Sequence, residues 1–462
     1  MQPIFALVTL TWKAAFRYRL FWVLLVLLLG AVVGLPMLVK DDGTVEGFTQ
    51  ILLTYTLSAV TGILGMCALW LACGTLARDI EDCQIQMVAV KPIARWQIWF
   101  GKWLGLLTLN ATLLALAGAG IYGLLEYRAK NLPLDQKARL REEVLVARAS
   151  AKEESLEPQI HAETARRLKE RLAKPLPPDV NLEAMQAQIF AQVRADFESI
   201  GSGNYRPYLV HLGAGAKERL KGRPLFLRVK FNTLDHSEYG TFGAQYQIGT
   251  PKKSQLYQTE VMSLSPNTFH EFPLPAGLID DEGDVHILLH NPNNVSLIFP
   301  LDEGLEVLYR EGGFGLNYCR GLGIILCWIT LLSTLGLASA SLLSFPVAAF
   351  FSLTLMIMSF SSGTLATVVS QGTIAGFNEE TSQMGHSSLD VVVVPFFRVL
   401  LNLFNLVQSF APIDALSTGR SIPPEMLARA ILTIVGIVGG VMAGVGIYLF
   451  HRRELATAQG TH

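Results

Sequence analysis

Charged residues are scarce in this sequence. Of its 462 residues, 16% are Asp, Glu, Lys or Arg and 51% are hydrophobic, whereas soluble domains carry about 25% charged residues. The mean hydropathy is +0.37. The formal net charge is −1, which argues against a nucleic-acid-binding role based on bulk electrostatics. The composition therefore indicates an integral membrane protein.

Cysteine is also rare, and none occurs between Tyr127 and Tyr318. This absence excludes a disulfide framework for that long segment, so its stability must come from an ordinary hydrophobic core. The five cysteines are Cys67, Cys73, Cys83, Cys319 and Cys327.

Motifs for covalent chemistry are missing as well. Gly101-Lys102 is followed by Trp103 and lacks the upstream glycine of a phosphate-binding loop. Neither His-Glu-x-x-His nor Gly-x-Ser-x-Gly occurs. His286 and His290 share one face of a predicted strand, but with no Cys or acidic cluster apparent beside them, exposed histidines are favoured over a metal site. We expect no enzymatic activity and no cofactor in this chain.

Long apolar runs are plentiful. A run of about 20 apolar residues crosses the roughly 30 Å of hydrocarbon in a bilayer, and six such runs predict six transmembrane helices. The first is too long for a signal-peptide core and lacks a small-residue cleavage site after it, so we interpret it as a retained span. The six predicted spans are residues 20–39, 48–76, 103–125, 316–343, 347–369 and 430–450.

The run Val391–Phe410 is ambiguous because it contains Pro395, Arg398 and two asparagines. An arginine at the centre of a span costs about 2.5–3.5 kcal/mol on insertion scales. A crossing here would also place the basic C-terminus and the basic N-terminus on opposite sides of the membrane, against the positive-inside rule. We interpret this run as a re-entrant or interfacial helix within the segment 370–429.

A large domain separates the third and fourth spans. Residues 127–203 have helical periodicity, interrupted at Pro158 and at Lys174–Pro178, and predict two or three helices that form a hairpin. Residues 204–315 alternate apolar and polar side chains with a period of 2, and predict about seven short strands in a β-sandwich.

The charges of the short loops predict the orientation. Residues 1–19 contain Lys13, Arg17 and Arg19 but no acid, which suits a cytoplasmic interfacial helix. The tail 451–462 is also basic near its start, whereas the loop 40–47 is acidic. By the positive-inside rule both termini are cytoplasmic, and the regions 127–315 and 370–429 lie outside.

The segment between the second and third spans, residues 77–102, is the most informative part of the sequence. Acids near the start of a short helix are favoured by the helix dipole. Pro92 ends this helix after Lys91, and Arg95 begins a piece that continues into the third span. On the residues alone, a solvated loop is an equally good interpretation. The candidate site residues of the segment are Arg78, Asp79, Glu81, Asp82, Lys91, Pro92 and Arg95.

This pattern resembles the coupling helix in permease subunits of type-2 ATP-binding-cassette exporters. In that family an acidic short helix precedes Lys-Pro-Ile-x-Arg, here Lys91–Arg95, and a Gly-Lys pair, here Gly101-Lys102. Pro412–Ile422 and Phe450–Leu455 resemble later stretches of the family in the same order. The inserted region 127–315 departs from the family, whose typical members have only a short external loop there.

The resemblance implies a multi-pass protein of the bacterial cytoplasmic membrane. It implies a separate ATPase subunit that holds ATP and Mg²⁺, and a second permease copy or a related permease, with substrate passing between the two sets of spans. The helix 2–19 and the segment 78–95 would transmit motion. Asp79, Glu81 and Asp82 would face the ATPase, while Lys91 and Arg95 would shape the loop.

Two alternatives stay open. The chain would be a non-transporting, permease-like subunit if its 127–315 domain transmits force to an external protein partner. It would be a membrane-anchored enzyme or sensor if that domain held a reactive cluster, and the sequence displays none.

The predicted topology has a direct test by cysteine labelling. In a cysteine-free background, a single cysteine at Ser237 or Asn293 should react with a membrane-impermeant maleimide added outside, and one at Thr457 should not, because of the charge asymmetry of the short loops. Labelling at Thr457 from outside would instead support seven spans, with Val391–Phe410 as a true crossing.

Overall fold

The chain folds into two compact units. In the computed structural model, unit 1 comprises Met1–Val146 and Gly313–His462, and unit 2 is the insertion Ala147–Gly312. The structure describes residues 2–17, 20–38, 45–82, 84–85, 93–130, 132–174, 182–233, 240–250, 254–275, 277–375, 377–378, 383–384 and 387–453.

Unit 1 begins with helices. They are α1 (Gln2–Arg17), α2 (Leu20–Leu38), α3 (Val45–Glu81), α4 (Arg95–Lys130) and α5 (Leu134–Glu143).

Unit 2 then alternates strands with three helices. In chain order its elements are β1 (Val146–Lys152), α6 (Glu157–Leu172), α7 (Leu182–Glu198), β2 (Ser199–Ile200), β3 (Tyr205–His211), α8 (Ala216–Arg219), β4 (Leu225–Val229), β5 (Phe242–Ile248), β6 (Tyr257–Gln258), β7 (Met262–Leu264), β8 (His270–Leu274), β9 (Asp284–His290), β10 (Leu297–Ile298) and β11 (Leu305–Gly313). Strand β1 begins at Val146, the last residue of the first segment of unit 1.

Unit 1 resumes at Gly313, the last residue of β11. Its remaining elements are α9 (Phe314–Leu342), α10 (Phe345–Phe360), α11 (Ser362–Gln371), β12 (Phe377–Asn378), β13 (Gln383–Met384), α12 (Asp390–Gln408), α13 (Pro412–Ser417), α14 (Pro424–Ala430), a π-helix (Ile431–Gly439) and α15 (Gly440–Arg452).

The described residues contain five helical segments that are long and apolar enough to cross a membrane, and up to seven spans if each of two bent helix pairs is one span. This supports a helical membrane protein. Six spans lie within that range and remain a prediction. The five segments are Gly47–Glu81, Arg95–Lys130, Phe314–Leu342, Asp390–Ser417 and Pro424–Arg452; the bent pairs are α1 with α2 (69°) and α10 with α11 (74°).

The predicted fifth span, residues 347–369, is not one straight helix. It divides between α10 and α11 at Ser361, whose φ of −94° and ψ of 24° leave the helical region. The break falls in Ser361-Ser362-Gly363, and Ser and Gly residues are a recognised cause of sharp helix bends. The bent pair has the shape of a broken span or of a re-entrant loop.

The ambiguous run 391–410 forms α12, with Pro395 inside the helix. Together with α13 it passes the length and apolarity test for a span, although only 11% of its most apolar window is buried within the chain. Arg398, Asn402 and Asn405 recur at i, i+4 and i+7 and are all exposed, so they form one polar stripe along α12. Our interpretation of this helix as re-entrant or interfacial remains a prediction.

Helix α9 occupies the centre of unit 1. It packs against α3, α4, α10, α13, α14, the π-helix and α15. Small residues allow this, because a Cβ on Gly336 would lie 2.7 Å from the Leu69 carbonyl oxygen, and one on Gly446 would lie 3.0 Å from the Ala338 Cα. Small residues at such crossings permit the close backbone approach that stabilises helix pairs in membranes.

Unit 2 is a β-sandwich accompanied by a helix pair. One sheet has the order β1-β11-β4-β8, and the other has the order β3-β9-β5-β6 with β7 also paired to β5. Tyr246 and Ile287 of the second sheet share one hydrophobic cluster with Leu227 and Val307 of the first. Burial alternates residue by residue along β5 and β9, as the period of 2 in the sequence predicts. Helices α6 and α7 pack against each other.

Two local predictions in this region are wrong. Residues 146–152 lie in the segment predicted to be helical but form β1, because pairing with β11 overrides the helical composition. The alternation of apolar and polar residues over 225–229 predicts a half-buried strand, yet both faces of β4 are buried. Arg228 on its polar face lies 3.6 Å from Glu306 and 3.8 Å from the Phe269 ring centroid, so charge pairing allows that face to be covered.

The insertion begins at Ala147 rather than at Tyr127. Helix α4 continues to Lys130, and Leu140, Val144 and Leu145 belong to the main hydrophobic cluster of unit 1. The first 20 residues assigned from the sequence to the external domain thus pack with the helices of unit 1.

The boundary at Ala147 predicts the behaviour of two fragments. Residues 147–312 expressed alone should fold and unfold cooperatively by circular dichroism, because they have their own core and their first and last strands are neighbours. A fragment of residues 127–315 is the control. It should gain no thermal stability and be less soluble, because it exposes Leu140, Val144 and Leu145, which are buried in the cluster of unit 1 in the full chain. A fragment 147–312 without a cooperative transition would refute the domain boundary.

Candidate functional site

The candidate residues of segment 77–102 lie at the facing ends of α3 and α4. Arg78, Asp79 and Glu81 occupy the last turn of α3, Asp82 follows it exposed, and Arg95 begins α4. The prediction that these acids lie near the start of a short helix is wrong for Asp79 and Glu81, because α3 continues to Glu81. Lys91 and Pro92 lie outside the described residues, so their predicted role in shaping the loop stays a prediction.

Asp79 is paired with Lys102, about two turns into α4. The Lys102 ammonium donates hydrogen bonds to an Asp79 carboxylate oxygen and to the Thr75 carbonyl oxygen at 2.7 Å. The Lys102 side chain is only 9% exposed and that of Asp79 is 36% exposed. A buried ammonium requires such partners, so this pair fixes α3 to α4. The carboxylate of Asp79 is thus paired within the chain. The role toward an ATPase that the resemblance implies for Asp79 stays a prediction.

Glu81 also has a hydrogen-bond partner within the chain. Its Oε1 accepts a hydrogen bond of 2.8 Å from the backbone N–H of Phe345, the first residue of α10. The Phe345 ring lies 4.3 Å from the Arg78 guanidinium, and Trp70 meets the same ring edge-on. A carboxylate at a helix N-terminus satisfies a free N–H and suits the positive end of the dipole. The end of α3 and the start of α10 are thus joined.

Two arginines cap the C-termini of other helices. Arg95 Nη1 donates to the carbonyl oxygens of Phe450, His451 and Arg453, at 3.2, 2.7 and 2.8 Å. Arg453 Nη1 donates to the carbonyl oxygens of Ala340 and Ser341 at 3.1 and 3.3 Å, near the end of α9. Carbonyls in the last turn of a helix lack intrahelical partners, and a cation there also suits the dipole.

Two tryptophans complete the contact between α4 and α9. Trp99 Nε1 donates to Ser341 Oγ at 3.2 Å, and Trp103 Nε1 donates to Thr334 Oγ1 at 2.8 Å. Trp99 is 1% exposed. Because buried indole N–H groups need acceptors, these bonds fix the rotation of α4 against α9.

We call this group the helix-end cluster: Arg78, Asp79, Glu81, Arg95, Lys102, Phe345 and Arg453. It holds cations, carboxylates and backbone carbonyls in capping geometry, an arrangement that positions helix ends rather than activating a nucleophile. The sequence did not identify the roles of Phe345, Arg453 or Lys102. The sequence did contain an indication for Lys102, because an ionisable residue in an apolar helix requires a charged or polar partner.

The N-terminal helix packs on the other side of α4. A Cβ on Gly101 would lie 2.7 Å from Leu7 Cβ, and one on Gly105 would lie 2.7 Å from Thr11 Cβ. Gly101 and Gly105 form a Gly-x-x-x-Gly face, which lets two helices approach closely. The Trp12 indole also donates to Thr108 Oγ1 at 3.0 Å. Helix α1 therefore packs closely along α4. Its interfacial position in a membrane remains a prediction.

The stretch 412–422, also part of the resemblance, folds against the start of α9. Asn317 donates to the Arg420 carbonyl and accepts the Ile422 N–H, both at 2.7 Å. Arg320 donates to the Ile422 carbonyl at 3.1 Å, and Leu416 packs where Gly321 lacks a side chain. This stretch thus fixes the other end of the central helix.

His286 and His290 of unit 2 do not converge on one point. His290 stacks on Tyr205 with ring centroids 4.3 Å apart, whereas His286 Nε2 lies 3.4 Å from an oxygen of the fully buried Asp280. The expectation that no acidic cluster accompanies these histidines is wrong for His286, because Asp280 belongs to such a cluster. Asp280, Glu282 and Asp284 place carboxylate oxygens within 4.8 Å of one another, a separation that a cation could bridge.

This acidic turn is stabilised from within the protein. Burial alone would raise the pKa of Asp280, but hydrogen bonds from the backbone N–H groups of Asp284 and Glu282, and the nearby His286, bring its pKa below the ordinary value. His211 pairs with Asp284. Since the folded-state pKa is lowered, Asp280 stabilises the turn above the unfolded-state pKa, and that contribution is lost as the pH falls through the folded-state pKa.

No family model, curated protein or solved structure matches this chain. The likeness to type-2 exporter permeases therefore rests on the residues quoted from the sequence.

The close packing of α1 on α4 predicts a position-specific effect. Gly105→Val should displace α1, because the new side chain would overlap Thr11, and should lower the stability of the detergent-solubilised protein by about 1–3 kcal/mol. Gly123→Val on the same helix is the matched control, since a Cβ there meets nothing within 4 Å. Both would be compared by thermal unfolding; equal midpoints for the two variants would contradict the contact.

Proposed function

We propose that this chain is the permease subunit of an ATP-binding-cassette transporter of the type-2 exporter class. A separate ATPase subunit binds ATP and Mg²⁺ and hydrolyses the ATP, and the chain moves a substrate across the membrane. The observation that carries this proposal is the helix-end cluster, because it connects the segment that would dock on an ATPase to the ends of several helices at once.

The mechanism follows from those contacts. A push on the segment between α3 and α4 reaches α15 through Arg95 and its three carbonyl acceptors. It reaches α10 through the Glu81 carboxylate and α9 through Arg453. Since α9 packs against most other helices of unit 1, a displacement of its end is shared by the bundle. Docking is left to the exposed Asp82 and its neighbours, while Asp79 and Glu81 act as connectors.

The proposal includes a second copy or a related permease beside this one. Several helices of unit 1 expose large apolar side chains, among them Trp22 and Val26 of α2 and Phe350 of α10. Such surfaces belong against lipid or another membrane subunit. In this arrangement both termini are cytoplasmic, and the regions 127–315 and 370–429 are extracytoplasmic.

A second candidate is a non-transporting subunit that transmits force to an external protein. It is favoured by the connection between β11 and α9, which follow one another at Gly313 and Phe314 with no linker. A shift of the central helix would then act directly on a strand of the inserted sheet. ATP turnover by the complex without flux of any substrate would select this candidate over transport.

Docking and coupling can be separated by two substitutions. Asp82→Lys should weaken binding of the ATPase about tenfold, as expected if like-charge contact costs about 1.4 kcal/mol. Arg95→Gln should leave binding intact but abolish the change in ATPase rate that the permease causes, because α15 is no longer connected. Binding is measured by pull-down of the ATPase encoded by a neighbouring gene, and turnover by phosphate release.

Asp135→Lys, an exposed acid in the first turn of α5, is the matched control and should alter neither quantity. The proposal fails if no ATPase subunit binds the full chain, or if the isolated chain itself hydrolyses ATP.

A further inference from the structure

Helix α12 has three different faces. One face packs within unit 1 and carries the buried Val394. A second face is the exposed polar stripe of Arg398, Asn402 and Asn405. The third is an exposed apolar stripe, roughly 120° around the helix from the polar one. Its members are Val392, Phe396 and Val399, which are 71, 53 and 67% exposed. Because lipid suits the apolar stripe, the polar stripe requires a different, polar environment.

Arg398 lies near the middle of this apolar helix. It is eight residues from the first residue of α12 and ten from the last, which corresponds to about 12 and 15 Å along the axis. An arginine near the end of a span reaches the membrane surface with its long side chain, whereas one near the centre faces a polar partner or a water-filled cavity. At membrane depth the guanidinium of Arg398 therefore has to meet a polar group or water.

The surroundings of Arg398 provide no counter-charge. No residue that the structure describes pairs with it. The other charged residue of α12 is Asp390, at the start of the helix, and its carboxylate accepts hydrogen bonds from the backbone N–H groups of Ile374 and Ser387 at 3.1 and 2.7 Å. Helices α10 and α11 contain no charged residue. Within these three helices Arg398 is the single cation, and the partner that it lacks is an anion.

Helix α12 packs against one half of a broken helix. Helix α11, which follows the 74° bend at Ser361, contacts α12 along its length. Gln408 Nε2, at the end of α12, donates to the Ser359 carbonyl oxygen at 2.9 Å, beside the bend. Helix α11 also exposes hydroxyl groups, those of Thr364, Thr367 and Ser370. Broken helices are tolerated at membrane depth where they line a cavity, and discontinuous helices form the substrate sites of many transporters.

We propose that α11 and α12 line the path of an anionic substrate, and that Arg398 selects for its negative charge. A guanidinium binds the oxygens of a carboxylate or a phosphate through two parallel N–H groups. Asn402 and Asn405 continue the same stripe and offer amide groups that both donate and accept hydrogen bonds. This inference rests on the proposed transport function, because it assigns the charge of the substrate that the permease moves.

The test is the reactivity of Asn402→Cys, one turn from Arg398, in the full chain. The variant is made in a cysteine-free background and placed in nanodiscs without any ATPase. The probes are two small thiosulfonates, the anionic sulfonatoethyl reagent MTSES and the cationic trimethylammonioethyl reagent MTSET. Each rate is divided by that of the same reagent with free 2-mercaptoethanol. The corrected MTSES rate should exceed the MTSET rate about tenfold, because unit charges about one helical turn apart interact at that strength near a protein surface.

Two further substitutions at Arg398 test whether its charge causes this preference. Added to Asn402→Cys, Arg398→Gln should abolish the preference, whereas Arg398→Lys should retain most of it because lysine keeps the charge. Phe396→Cys, on the apolar stripe of the same helix, is the matched control. It should react with neither reagent, since the reaction needs a thiolate and apolar surroundings disfavour one. Equal corrected rates at Asn402→Cys, or a preference that survives Arg398→Gln, would overturn the proposal.

A maleimide that carries a long polyethylene glycol chain distinguishes a path from an open surface. Asn402→Cys should react with MTSES but not with this bulky reagent, whereas Asn294→Cys, at an exposed position of unit 2, should react with both. Reaction of Asn402→Cys with both reagents would place the polar stripe on an open aqueous surface, as in an interfacial helix. Reaction with neither would place it in lipid. Either result would overturn the proposal.

Failure of this inference is distinguishable from failure of the proposed function, because these measurements need no ATPase. An ATPase that binds the chain and responds to it, while Asn402→Cys stays unreactive, would leave the permease function standing and remove this path. Size-limited, anion-selective reactivity in a chain that binds no ATPase would leave the path standing and remove the coupling to ATP.

Discussion

The organisation of unit 1 depends on how its helix ends are satisfied. The first N–H groups and the last carbonyl groups of a helix lack intrahelical partners and need partners from elsewhere. Here the partners come from charged side chains on other helices: Arg95 for α15, Arg453 for α9 and Glu81 for α10. Each bond removes an unsatisfied group and at the same time fixes the relative position of two helices.

The central position of α9 follows from small residues rather than large ones. Gly336 meets the backbone of α3, and Gly446 on α15 meets the backbone of α9. Small residues at such crossings permit the close packing on which helix association in membranes depends. A helix enclosed in this way cannot shift at one end without moving its neighbours.

Unit 2 obeys the rules of a soluble domain. Its two sheets bury a common core, and its strands alternate inward and outward side chains. The exception to this alternation is a buried ion pair on β4 and β11. Arg228 and Glu306 lie buried on the covered outer face of one sheet and stabilise each other there. The contrast in packing, soluble-type in unit 2 and small-residue packing in unit 1, agrees with the shift in composition along the chain.

The sequence by itself determined the long apolar helical runs, the strands β5 and β9 and the position of the segment around Arg78–Arg95, because each follows from local periodicity or charge. Only the tertiary structure decided that 146–152 is a strand, since its pairing partner lies more than 150 residues away in β11. It also decided that the carboxylates of Asp79 and Glu81 have partners within the chain. Their partners, Lys102 and the N–H of Phe345, are brought near by the packing of α4 and α10 against α3, and no pattern within one segment records a contact between distant segments.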